Sequence, residues 1–163
     1  FSSRTKEKAE KLAEATQQKY GVKTKTYDQA DEAMEAADII VTATNASEPV
    51  YSHTLHPGVH LNAVGSFKPD MQELPSESMM IANKIVVEST EAAMEETSDL
   101  KVPHEEGILT HNMLYGELGD IVSGKKAGRE DEKEVTLFKS VGLAIVDIVV
   151  AQYFYKKALE SDN

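Results

Sequence analysis

Two dense apolar runs of this sequence close on small and polar residues: Thr42-Ala43-Thr44-Asn45 and Asn62-Ala63-Val64-Gly65-Ser66. Where such runs are strands of a parallel sheet, these are carboxyl ends, the side on which ligands of open α/β sheets sit. Small side chains there let a flat ring or a diphosphate lie against the backbone. The plainer reading is of strand ends turning into loops, and spacing alone leaves both open. A third candidate is Ser3-Arg4-Thr5, a cation between two hydroxyl residues just ahead of a helix-forming stretch. The other reactive side chains form no catalytic pattern. His53, His56 and His60 are close in sequence, but Pro57 and Gly58 break any helix that would align them. With no carboxylate at ligand spacing, they read as solvated or loop-packing histidines and no metal site is expected. His104 and His111 flank a loop and are weak general-base candidates. Gly124-Lys125-Lys126-Ala127-Gly128-Arg129 lacks the spacing and the Lys-Ser/Thr ending of a phosphate-binding loop. Asn45-Ala46-Ser47 has the form of a glycosylation acceptor but nothing points to secretion. Glu130–Glu134 reads as a solvated acidic run.

The composition narrows the classes further. The chain has 163 residues, 17 Lys and Arg against 28 Asp and Glu, a net charge of −11, 40% apolar residues and no cysteine. That is globular composition, with apolar runs dense enough to offset the entropy of ordering. Disulfides, thiol catalysis and cysteine-based zinc sites are excluded. Acidity argues against a nucleic-acid backbone as partner, since no basic stripe exists to displace its counterions. No apolar stretch approaches the roughly 20 residues that span a bilayer, and no signal peptide opens the chain, so no membrane partner and a cytoplasmic location are expected. The chain opens on Phe1-Ser2-Ser3, which reads as the end of a strand and so as part of a longer polypeptide.

The elements that must position these residues follow from periodicity. Residues 4–20 are rich in good helix formers, with Ala9, Leu12, Ala13 and Thr16 at helical spacing and Gly21 at the helix end. Residues 22–27 alternate as a short strand, and Asp28 caps a helix through Ala37. Residues 38–44 are β-branched almost throughout, as in a strand covered on both faces. Residues 59–64 and 84–89 repeat that signature, the latter followed by a helix through Thr97. Residues 98–134 read as looser, 135–138 as a last strand, and 141–159 as a long helix so apolar that it is buried or forms an interface. Strands alternating with helices predict an α/β fold on a parallel sheet. A composition change sets a boundary near 125, dividing 1–125 from 126–163. In a dinucleotide-binding version of this fold, Arg4 would face the adenosine ribose, where an Arg accommodates the 2′-phosphate of NADP and an acid favours NAD.

Four segments in order carry a stronger signal: SRTKEKAEKLAE (3–14), ADIIVTATNASEPV (37–50), HPGVHLNAVGSFKPDMQEL (56–74) and TLFKSVGLAIVDIVVAQYFYKKA (136–158), with GELGDIVSGKKAGR (116–129) between the last two. They resemble the ornithine cyclodeaminase/mu-crystallin family, which also holds alanine dehydrogenases and ketimine reductases. The resemblance covers essentially the whole chain. It implies an NAD(P)-binding Rossmann fold, here the C-terminal half of a two-domain enzyme, without its first strand and Gly-rich turn. Residues 1–125 would then be a partial dinucleotide-binding domain. Residues 126–163 would hold a strand and a long helix returning to an N-terminal substrate and dimerisation domain, and the whole would be a homodimer.

The resemblance maps Ser3, Arg4 and Thr5 onto the adenosine 2′-phosphate stretch, with NADP favoured over NAD. Thr42 and Thr44 map onto the cofactor lining, Asn62, Ala63, Val64 and Gly65 onto the nicotinamide side, and Ser140 onto a serine near that ring. True ornithine cyclodeaminases carry a catalytic Asp where this chain has Phe67. The implied activity is therefore NAD(P)-dependent oxidoreduction of small imino or amino acids. Examples are reduction of a cyclic imine such as Δ1-pyrroline-2-carboxylate, or L-alanine-type dehydrogenation. Ornithine cyclodeamination, a lyase reaction, and mu-crystallin-like small-ligand binding are the alternatives.

Overall fold

In the computed structural model, which describes residues 1–52 and 54–161, the centre of the molecule is a five-stranded, wholly parallel sheet. The strands are β1 (Ile39–Thr42), β2 (His60–Ala63), β3 (Lys84–Val87), β4 (Leu114–Glu117) and β5 (Thr136–Lys139), in spatial order β1-β2-β5-β3-β4. The helices are α1 (Lys6–Tyr20), α2 (Ala30–Met34), α3 (Glu77–Ile81), α4 (Thr90–Glu96), α5 (Ser98–Glu105), α6 (Leu118–Val122) and α7 (Ala144–Ser161), with a 3₁₀ turn at His111–Met113. Parallel pairing requires a crossover between neighbours, and helices or long loops supply each one. The core is built on the sheet: Leu61, Ala63, Ile85, Val87 and Leu137 from the strands pack with Val59, Leu74, Met79, Leu100 and Leu109.

The apolar runs at 38–44, 59–64, 84–89 and 135–138 thus become β1, β2, β3 and β5, the first three trimmed by two or more residues and the last shifted by one. β1 differs from expectation in one respect. It lies at the edge of the sheet, and Ile39 and Val41 on one of its faces are exposed. The alternating stretch 22–27 forms no strand, though two main-chain bonds join it to Phe1, Phe1 N to Lys25 O (2.7 Å) and Tyr27 N to Phe1 O (2.9 Å). The helix expected over 28–37 is confined to α2. Asp28 does not cap it and instead pairs with Lys6 at 2.9 Å. The stretch expected to be loose, 98–134, contains α5, β4 and α6. α1 ends as read, with Gly21 in the left-handed region (φ 66°), closing the helix through its N–H to Gln17 O.

The composition change near 125 does not interrupt the sheet. β5, which follows it, pairs with β2 on one side and β3 on the other. Residues 124–130 serve the opposite, amino-terminal edge of the strands. Arg129 donates to Val59 O (3.2 Å) and Thr136 Oγ1 (2.8 Å). Glu130 and Glu134 pair with Lys84 at 2.7 and 3.3 Å, so the acidic run is not simply solvated. α7 stands apart: Ile148, Val149, Tyr153, Phe154, Tyr155 and Leu159 are all more than half exposed, so the helix is not buried within this chain. No helix among the described residues is long and apolar enough to cross a membrane.

Candidate functional site

The registers bring the carboxyl ends of the strands into one row, with Thr42 opposite Ala63, Ala63 opposite Lys139, Lys139 opposite Val87, and Val87 opposite Glu117. The residues that follow each strand form the rim above this row. Thr44, Val64, Gly65 and Ser140, singled out by sequence, all sit on that rim. Ser3, Arg4 and Thr5 are exposed at the amino end of α1, where Thr5 is the N-cap residue.

Beyond the ends of β1 and β2 a cleft of ≈ 420 Å³ is lined by Ala43, Thr44, Asn45, Val64, Gly65 and Phe67. Val64 and Phe67 are 42% and 48% exposed, so this floor is apolar and accessible. The Lys68 ammonium lies 5.4 Å from the centroid of the Phe67 ring, a cation over its face. A cleft of this size suits a ring and its sugar. The small Ala43 lets such a group approach the backbone, and Val64 and Phe67 give it an apolar surface, so these walls fit the flat end of a dinucleotide.

Not every predicted residue faces this space. Thr42 is buried and gives its hydroxyl proton to Glu73 Oε2 (3.0 Å), and Ala63 is wholly buried in the core. Asn62 is half-buried on β2. Gly65 has a packing reason to be glycine: a Cβ there would lie 2.2 Å from Thr44 N and 2.4 Å from Glu73 Oε1. Ser140 Oγ donates to Glu88 Oε1 (2.9 Å), which also takes the Val141 and Gly142 amides at 2.6 and 2.7 Å. With its proton committed, the Ser140 hydroxyl can only accept a hydrogen bond from anything above it.

The larger surprise lies under the rim. Glu73, entirely buried, accepts from Thr42 Oγ1 (3.0 Å), Thr44 N (2.5 Å), Gly65 N (2.8 Å) and Ser66 N (3.2 Å). Beside it, Lys139 and Asp99 form a fully buried ion pair at 2.8 Å. Lys139 also donates to Ser66 O (2.7 Å), and Asp99 Oδ1 takes the Glu73 and Leu74 amides at 2.6 and 2.8 Å. Buried charges persist only when paired or fully hydrogen-bonded, and each of these is held by such partners. Ser66 and Thr97 share a further bond of 2.5 Å between their hydroxyls. Nearby, burial pushes the Tyr51 phenol well above its ordinary range, with its hydroxyl 2.7 Å from that of Ser78. Sequence reading passed over Glu73 and Lys139, although a lysine inside the apolar run Val135–Val141 is itself a signal that a buried partner exists.

The histidines take structural positions. His56 contacts the Ala37 carbonyl through Nε2 (3.0 Å), and His60 contacts Thr136 Oγ1 through Nδ1 (2.7 Å). His104 meets the Leu109 carbonyl at 2.9 Å and packs edge-on to His111. His53 lies outside the described residues. Among the described residues no three His, Asp or Glu side chains converge as a metal set.

The profile of the ornithine cyclodeaminase/mu-crystallin family matches residues 1–162. The chain belongs to this family. It is 58% identical over 159 residues to a Δ1-pyrroline-2-carboxylate reductase of Bacillus thuringiensis subsp. konkukian, covering 98% of this chain and 49% of that protein. The ketimine reductase mu-crystallin of Mus musculus is 37% identical over 154 residues, covering 94% and 45%. Among solved structures, Thermococcus litoralis Δ1-pyrroline-2-carboxylate reductase in complex with NADH and L-proline superposes with a TM-score of 0.91 at 40% identity, covering 99% of this chain and 50% of that one. The chain thus spans about half the length of the relatives it matches.

Proposed function

We propose that this chain is the cofactor-bearing half of an NAD(P)-dependent reductase of small cyclic imino acids, of which Δ1-pyrroline-2-carboxylate is the leading substrate. The observation that carries the reading is the apolar cleft at the ends of β1 and β2, in a chain closely similar along its length to reductases of that compound. Phe67 adds support. Its ring lines the cleft where cyclodeaminases have an acid, and it can neither take a proton nor hold a second ammonium group. An apolar surface suits a compact aliphatic ring better than the charged chain of ornithine.

When bound, the reduced nicotinamide supplies hydride to the carbon of a protonated C=N. The residues of this chain orient and shield. Val64 and Gly65 offer the face against which the ring lies. The Ser140 hydroxyl, its proton given to Glu88, would be an acceptor for the amide of the ring's carboxamide, and Thr44 lies on the opposite wall of the same rim. Phe67 and Val64 give the reacting carbon an apolar surface on this side. The groups that hold the substrate carboxylate belong to the rest of the longer protein in this reading. So does the surface that covers the exposed apolar residues of α7, which we assign to the dimerising part of the molecule. Arg4, exposed ahead of α1, is the proposed partner of a 2′-phosphate and favours NADPH.

The test is a steady-state assay of the full-length protein with Δ1-pyrroline-2-carboxylate and NADPH or NADH. Stoichiometric loss of reduced cofactor with formation of proline is the expected result. Ammonia release from ornithine without net cofactor consumption would overturn the reading. Arg4→Ala is expected to weaken NADPH binding while leaving NADH unchanged, and equal loss of both would remove the 2′-phosphate assignment.

A further inference from the structure

Glu73 lies on the loop between β2 and α3, yet its carboxylate reaches both walls of the cleft. Oε1 takes the amide of Thr44, on the wall that follows β1, while Oε2 takes the amides of Gly65 and Ser66, on the wall that follows β2, together with the Thr42 hydroxyl. All four partners are uncharged, so the group is held by convergent dipoles and not by an ion pair. The walls are also in closest contact here. A Cβ on Gly65 would lie 2.2 and 2.3 Å from Thr44 N and O and 2.4 Å from Glu73 Oε1. Three backbone amides at the strand ends, the kind of donors that elsewhere cradle phosphates, are therefore already occupied by a carboxylate.

We infer that Glu73 is a positioning residue, which fixes the separation of the Thr44 and Gly65 walls, and hence the seat of the nicotinamide ring, and keeps phosphate groups out of the cleft by occupying its amides. This rests on the reductase reading above. Its consequence is a division of labour. The dinucleotide is anchored elsewhere by its charged middle, and Glu73 governs where the ring sits relative to the imine. Misplacing reacting atoms by about 1 Å can cost on the order of 100-fold in rate.

The test is Glu73→Gln in the full-length protein. The glutamine oxygen can keep the three donors at Oε2, which leaves its NH₂ facing the Thr44 N–H with no acceptor. The expected result is a kcat lowered about 10- to 100-fold, with the dinucleotide Kd changed by less than about threefold. The exchange of the Thr44 amide should rise by about tenfold or more, as its acceptor is lost. Leu109→Ala, a core change remote from the cleft, supplies the comparison: at similar loss of Tm its kcat should follow only the folded fraction. If Glu73→Gln behaves the same way, or if the Thr44 amide stays as protected as before, the inference is overturned. Should Glu73→Gln fail to fold, Thr42→Val removes a single donor at nearly constant shape. It should lower kcat about threefold at unchanged Kd, and an unchanged kcat overturns the inference. Failure of the unmodified protein to bind any dinucleotide would instead defeat the reductase reading, while the Thr44 exchange in Glu73→Gln would still decide the clamp.

Discussion

Two carboxylates tie neighbouring strand ends together in this molecule, and they do so differently. Glu73 joins the ends of β1 and β2 using both oxygens, four donors and complete burial. Glu88 joins the ends of β3 and β5 through Oε1 alone, which gathers Ser140 Oγ and the amides of Val141 and Gly142. Its Oε2 is buried and has no hydrogen-bond partner among the described residues. The first clamp is closed: both oxygens have donors, and the loops it joins are held at contact distance. The second is half satisfied, and a buried acceptor left without a donor costs free energy. Rigidity is therefore concentrated on the Thr44–Gly65 side of the rim, while the Ser140 side keeps capacity to rearrange.

The largest effect that would break this contrast comes from the ion pair beside Glu73. Lys139→Met leaves Asp99 buried and unpaired, and removal of one partner of such a pair costs about 3–5 kcal/mol. Denaturant unfolding should report that loss together with release of the Glu73 and Leu74 amides that Asp99 accepts. A cost near zero would mean that the network contributes nothing to holding Glu73 in place. Gly65→Ala acts on the closed clamp directly. Its Cβ must push the Thr44 backbone away, for about 1–3 kcal/mol of overpacking, with dinucleotide affinity changed by less than about threefold, as for Glu73→Gln. Calorimetric Tm and ligand titration check both parts.

On the open clamp the expected effect is smaller. Ser140→Ala removes one of three donors from Glu88 Oε1, leaving the two amides, and should cost about 0.5–1.5 kcal/mol. If this variant proved as damaging as Gly65→Ala, the contrast in rigidity would be wrong. The smallest effect lies at the far edge of the sheet. The Glu130 amide, followed by Lys84, holds the Glu134 carboxyl below the usual value of 4.5. That contribution to stability is present above pH 4.5 and is lost as pH falls through the lower native value. Lys84→Met should weaken this acid dependence in a pH series of unfolding midpoints while leaving ligand binding at the opposite edge unchanged.

The elements that carry the rim were legible because their patterns are local. Residues 38–44, 59–64 and 84–89 are β-branched runs closed by small or polar residues, and 4–20 is a helix by composition alone. β4 was not legible: Leu114-Tyr115-Gly116-Glu117 is short, contains glycine and pairs with β3 across an irregular register, so only tertiary contact makes it a strand. α5 was obscured by Pro103, which lies inside the helix. Within the site, Thr44, Val64 and Gly65 stood out from their position after strands, and Phe67 only from the family resemblance. Glu73, Asp99 and Lys139 were not, because what matters in them is the convergence of distant segments. A lone Glu before Leu74 has no local signature of burial, and a Lys after Phe138 signals a buried partner without saying which residue supplies it. Thr42 and Ala63 show the converse: a residue can sit in a recognisable motif and still point into the core.

The most direct test of the account is a map of backbone amide exchange in the full-length protein with and without reduced dinucleotide. Added protection at Thr44–Asn45, Val64–Phe67 and Ser140–Gly142, with Glu73's own partners already protected before ligand is added, is the predicted result. Protection that appears elsewhere and leaves the rim of β1, β2 and β5 unchanged would contradict it.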